Sequence, residues 1–133
     1  MAPTNVDIVR ELFAAFERGD EEAMLALADP DVEIEPAWDS LTMVGGRGRE
    51  VFLEFFRVWP SFWHEYCLET AEFVEAGDKV VVVLRERGLS RPGFSAVEDE
   101  FAHVWTIRDG KAAAVRVFSE PTDALRAAGL KRS

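Results

Sequence analysis

The feature that most constrains the fold is a change of hydrophobic period close to residue 62. Ahead of it, apolar side chains recur every three or four residues, the spacing of one helix face. Beyond it they recur every second residue, the spacing of one strand face. A chain that changes period once, part-way along, folds as helices followed by a sheet, and the two layers must cover each other.

The helical part begins with "TNVDIVRELFAAFERGD". Thr4 caps this helix with Asp7 three residues on, in a capping-box arrangement, and Val9, Leu12, Phe13 and Phe16 form its apolar stripe. Gly19 ends it, and Asp20 caps a second helix, "DEEAMLALAD", which Asp29-Pro30 stops. "DVEIEP" is a short strand with Val32 and Ile34 on one face and Glu33 and Glu35 on the other. The loop "AWDSLTMVGGRG" leads into a third helix, where Val51, Phe52, Phe55, Phe56 and Trp59 form a wide stripe that Pro60 closes.

Strands are predicted over about residues 62–75, over "VVVVLRERG", from about Ser95 to Ile107, and over "KAAAVRVFS". Turns fall at "EAGDK", "LSRPGF" and Asp109-Gly110. A short helix around "TDALRAAGL" ends the chain. The expectation is one α+β domain over residues 1–133, with its core at about 5–130. A curved, mostly antiparallel sheet is covered by the three helices of the N-terminal half. A bent sheet beneath helices encloses a conical hollow, where ligands bind.

Charge narrows the partners. The net charge of −10 repels a phosphate backbone, so nucleic acid is excluded as a partner. No apolar run approaches the roughly 20 residues that span a bilayer, which excludes the membrane. One cysteine, Cys67, forms no internal disulfide, and no signal-peptide pattern precedes the first helix, so a reducing cytoplasm is expected. Ten Phe and four Trp suit walls around a core, a cavity or a subunit contact.

In their order, "DPDVEIEP", "GGRGREVFLEFFRVW", "FVEAGDKVVVVLRERG", "FAHVWTIRDGK" and "ALRAAGL" resemble the SnoaL-like branch of the nuclear transport factor 2-like superfamily, the fold also used by ketosteroid isomerase. The resemblance runs from about residue 5 to residue 130. It implies the cone-shaped, cystatin-like arrangement, a pocket at the open end and a homodimer formed through the sheet. Superfamily members include isomerases, polyketide cyclases, dehydratases, epoxide hydrolases and non-catalytic binding domains.

The resemblance also implies site residues. Isomerase-like members use a carboxylate just before a proline at the end of the first strand as general base, and Glu35-Pro36 matches it. Glu35 either lines the pocket or belongs, with Glu33, to a solvated strand face. His103, counted back from the hairpin, stands where those isomerases place an acidic hydrogen-bond donor. An imidazole there donates to a developing oxyanion or rests as a hydrogen-bonded core residue. Phe101 and Trp105 share its face as apolar walls. The tyrosine expected on the first helix is missing, Leu12, Phe13 and Phe16 filling that stretch, so steroid isomerisation is not carried over.

Arg116 shares its parity with Phe118, which the resemblance turns inward. It would hold a substrate carboxylate or form a salt bridge to Glu35 or Asp99. Trp38 and Asp39, in the loop near the mouth, would cover and anchor a ligand. Arg85, Arg87, Asp99 and Arg116 are available for an epoxide-hydrolase-like set without its spacing. "LRERG" and "VEDE" read equally as an exposed cross-strand ion-pair ladder.

The expected occupant is therefore a small apolar molecule. Glu35 and His103 are the catalytic pair, with Trp38, Asp39, Phe16, Phe101, Trp105, Arg116 and Phe118 contacting substrate. Two histidines 39 residues apart and one cysteine give no metal spacing, and no cofactor is expected. The alternatives are a non-catalytic binding protein and an assembly module docking through outward Ala112, Val115 and Val117.

Overall fold

A computed structural model describes residues 4–37, 44–61, 63–90 and 95–130, without the side chains of Trp59 and Ser90. The turn expected within "LSRPGF" at residues 91–94, and the place of Trp59 in its helical stripe, fall outside that description. The elements run α1 (Asn5–Glu17), α2 (Glu21–Ala26), β1 (Ala28–Glu35), β2 (Gly46–Arg47), α3 (Arg49–Ser61), β3 (Trp63–Ala76), β4 (Lys79–Ser90), β5 (Ala96–Arg108), β6 (Lys111–Phe118) and α4 (Pro121–Ala127).

The caps and the hairpin turn act where they were read, whereas α2 ends at Ala26, before Asp29-Pro30, which lies within β1. The Thr4 hydroxyl accepts from the Asp7 amide at 3.1 Å, and the Asp7 carboxylate accepts from the Thr4 amide at 3.1 Å. Asp20 caps α2 by accepting from the Ala23 amide at 3.0 Å. Asp109 and Gly110, at φ 54° and 75°, make the two-residue turn between β5 and β6. Positive φ at both positions matches the twist of the flanking strands. α3 does not stop before Pro60 but runs through it to Ser61.

The six strands form one sheet in the order β2-β1-β6-β5-β4-β3. Every pairing is antiparallel except β1 with β6. The loop "VGGRG" contributes the two-residue β2, a strand absent from the sequence-based expectation. α1, α2 and α3 cover one face. There Leu12, Phe13, Phe52 and Phe56 pack on Val80, Val82, Leu84, Trp105 and Val115, all buried. α4 lies on the other face, with Ala124 and Leu125 against Val81, Ala102 and Val104. Val80 to Leu84 of β4 are apolar on both faces because both are covered there.

Bulges bend the sheet. β3 carries two register shifts against β4, between His64 and Cys67 and between Thr70 and Glu72. Glu65 adopts φ 55° in the first. Each extra residue kinks the strand and increases its local twist. Gly88 lies opposite the first bulge, where β3 approaches it closely. A Cβ there would sit 3.1 Å from the Glu65 carbonyl oxygen and 3.2 Å from the Tyr66 Cα. Gly88→Ala is therefore expected to destabilise by about 1–3 kcal/mol, read from urea unfolding. An unchanged midpoint would mean that β3 yields without cost.

Candidate functional site

Between the helices and the concave face of β4 and β5 lies a cavity of about 340 Å³, within the size range of small-molecule pockets. Phe13 and Phe16 from α1 and Phe55, Phe56 and Pro60 from α3 form its roof. Leu68, Phe101, Val117, Pro36 and Ala37 complete the apolar wall. The polar side chains on it are Tyr66, Glu86, Asp99, His103, Ser119 and Glu120. A broader groove between α1 and β3 adjoins the cavity and shares Phe13, Phe16, Pro60, Tyr66 and Leu68 with it.

Strand alternation places these groups. On β5, Asp99, Phe101, His103 and Trp105 point to the concave side, and Ala102 and Val104 point to the α4 side. Glu86 is the register partner of Asp99, so two carboxylates stand side by side on neighbouring strands. Glu86 is only 3% exposed, and its Oε1 accepts from the Tyr66 hydroxyl at 3.1 Å.

His103 is 4% exposed and enclosed by rings. Phe13 stacks on it with centroids 5.9 Å apart, and Phe55, Phe101 and Trp105 approach to 5.6, 5.7 and 5.8 Å. Its Nδ1 is sealed off without a hydrogen-bond partner, as is the Trp105 indole nitrogen beside it. Burial among apolar rings disfavours the imidazolium and pushes the His103 pKa down to about 3. The ring is neutral at physiological pH. With nothing for Nδ1 to donate to, placing the proton on Nε2 avoids a buried unsatisfied N–H. The neutral ring then carries its hydrogen-bond donor at Nε2.

The residues expected to act together are separated. His103, Phe16 and Phe101 lie on the cavity wall. Glu35 does not: its side chain is 67% exposed, and its Oε1 lies 3.6 Å from Arg116 Nε on the opposite face of the sheet. The reason is the parallel β1–β6 register. Val32 and Ile34 fill the core, and Glu35, alternating with them, lies opposite Arg116. Of the two readings of Arg116, the salt bridge to Glu35 is the one formed. Phe118 also faces outward, paired with Ala102, and Arg116 lies over its ring at 4.5 Å.

Val117, the partner of His103, points inward, and Ala112 and Val115 are core residues, so none of the three offers an outward docking face. Trp105 is fully buried behind the cavity and does not line it. Trp38 and Asp39 lie outside the described residues.

Tyr66 and Glu86 were not assigned to the site from sequence, and Asp99 only as a member of an epoxide-hydrolase-like set that does not assemble here, since Arg85 and Arg116 pair on the other face. Yet Glu86 and Asp99 follow a visible rule. Glu86 continues the parity of Val82 and Leu84, and Asp99 continues that of Phe101 and His103. The exposed ladder was read in the right place for the alternate residues, since Arg85 Nε lies 3.4 Å from Glu100 Oε2. Among the described residues, no group of three or more His, Cys, Asp or Glu side chains converges as a metal site, and no helix is long and apolar enough to cross a membrane.

Comparison with known proteins agrees with this architecture. The sequence model of a family described as SnoaL-like domain matches residues 9–115. No curated protein matches. Among solved structures, an NTF2-like protein of Burkholderia thailandensis E264 is 27% identical over 90% of this chain and 93% of that one, with a TM-score of 0.80. An NTF2-like protein of Burkholderia pseudomallei K96243 is 28% identical over 92% and 95%, with a TM-score of 0.73. TerC, co-crystallised with polyporic acid, is 26% identical over 94% and 98%, with a TM-score of 0.73.

Proposed function

The chain belongs to the SnoaL-like domain family, and on that footing we propose that it binds a small, largely apolar organic molecule in the cavity and catalyses cofactor-free proton transfer on it. The observation that carries this reading is an aromatic cavity with a sealed, neutral imidazole at one end and, at the other, an exposed carboxylate, Asp99, that has no ion pair among the described residues. His103 donates Nε2–H to an oxygen of the occupant. A neutral imidazole stabilises developing negative charge there without itself becoming charged. Asp99 replaces Glu35 as the base. TerC, similar over nearly its whole length, was co-crystallised with polyporic acid, which supports a small organic occupant for this fold.

Four steps along β5 separate His103 from Asp99, about 13 Å between Cα atoms at the usual strand rise. The two groups therefore address different ends of a molecule, which favours a conjugated ketone that relays charge from the attacked carbon to a distant oxygen. The same separation favours a second reading, a binding protein without turnover. The exposed Cys67 suits a reducing compartment such as the cytoplasm. Self-association through the sheet face that carries α4 is part of the same proposal.

A bicyclic octalone, a fused-ring conjugated enone, tests the assignment. Binding is followed by calorimetric titration, and chemistry by deuterium uptake from heavy water at the γ-carbon. Asp99→Asn and His103→Phe are each expected to slow uptake by about 10²-fold or more with binding retained. Binding without enzymatic uptake would select the second reading. Uptake unchanged in both variants would remove these residues from the chemistry.

A further inference from the structure

We infer that the occupant carries a cationic nitrogen at the end of the molecule remote from His103, so that the cavity selects amines over neutral and anionic analogues. The inference deepens the reading of this cavity as a small-molecule site and rests on it. Glu86 and Asp99 are register partners on β4 and β5, and both line the cavity. Two residues past the end of β6, Glu120 precedes α4, and it too lines the cavity. Three carboxylates thus gather at one end, while no Lys or Arg lines the cavity among the described residues. The nearby Arg85 and its partner Glu100 leave on the other face of the sheet.

A second feature points to an occupant rather than to a merely solvated acidic rim. His103, 96% shielded, lines the same cavity, and neither of its ring nitrogens has a hydrogen-bond partner among the described residues, so the nitrogen on the cavity side is left for an occupant. Between the two ends, Phe16, Phe55 and Phe101 present aromatic surface, which attracts a cation as well as an apolar body. The net charge of −10 raises the local concentration of cations further. A carboxylate-bearing molecule would meet like charge at one end and no compensating cation along the described walls.

Tryptamine, tryptophol and indoleacetate share one indole body and differ in an ammonium, hydroxyl or carboxylate head. Calorimetric titration of the three, with the His103 imidazole resonances reporting occupancy, separates the possibilities. Tryptamine is expected to bind about tenfold tighter than tryptophol, and indoleacetate more weakly than both. Glu120→Gln and Asp99→Asn should each reduce that preference several-fold while leaving tryptophol affinity in place. α4 survives the first change because the Glu120 side chain makes no capping hydrogen bond.

Equal or tighter binding of tryptophol or indoleacetate would overturn cation selection and leave the small-molecule reading standing. A preference that persists undiminished in both variants would overturn it as well. If none of the three shifts His103, the pocket reading fails, and this inference fails with it.

Discussion

Trp105→Ala is expected to cost about 3–5 kcal/mol, a large part of the roughly 5–15 kcal/mol that holds a domain of this kind folded. Trp105 is fully buried at the junction of both helical walls and the sheet. Phe13 and Phe52 meet it edge-on, each with centroids 6.1 Å away, and Phe56 stacks parallel at 6.2 Å. Removing the indole leaves a void that rings on two helices cannot close together, because each is fixed by its own backbone. Trp105→Phe should cost less than half as much. It keeps most of the contact surface and removes a buried N–H that has no acceptor. Urea unfolding of both variants measures the pair of effects. A loss below about 1 kcal/mol for the alanine variant would mean that the core collapses freely around the hole.

The second large effect concerns acid. His103 takes up a proton near pH 6.5 in the unfolded chain but only near pH 3 in the folded one. Between those values the unfolded state binds the proton and the folded state refuses it, so stability falls as pH falls. The slope reaches about 1.4 kcal/mol per pH unit. From pH 6.5 to 5 the loss should be about 2 kcal/mol. The groups facing the imidazole in that packing are apolar: Phe13 on α1, Phe55 on α3, and Phe101 and Trp105 on its own strand. Its register partners Val82 and Val117 are apolar too. Asp7 and Glu21, held below the ordinary carboxylate range by the Thr4 hydrogen bonds and by Arg57, lose their contribution only at lower pH. His103→Phe should flatten the curve over this window without weakening the protein at neutral pH. A wild-type curve already flat from pH 6.5 to 5 would show that water reaches the ring.

What could be read in the sequence was local. The Thr4–Asp7 box and the Asp109-Gly110 turn are decided within four residues, and each formed as read. The change of period placed helices and sheet correctly for the same reason. Facing on β1 and β6 was not local. Glu35, Arg116 and Phe118 depend on a parallel pairing between strands some eighty residues apart, and on an irregular register along it. Arg116 and Phe118 were turned inward by analogy, yet the pairing of Val117 with His103 fixes the opposite parity. Glu86 was masked by its neighbours: "LRERG" reads as a charged ladder, although every second member continues the core stripe of Val82 and Leu84. Tyr66 was harder to place, because it follows a bulge at Glu65 that an alternation pattern does not announce.

That bulge also bears on the open edge of the sheet. β3 closes one side of the sheet, and an edge strand of fourteen residues is a ready template for a further strand from any passing copy. Two kinks along it spoil the straight run that such templating needs, and Glu65, Glu69, Glu72 and Glu75 add exposed negative charge. The distortion that turns a tyrosine toward the interior thereby doubles as protection against fibrous self-assembly.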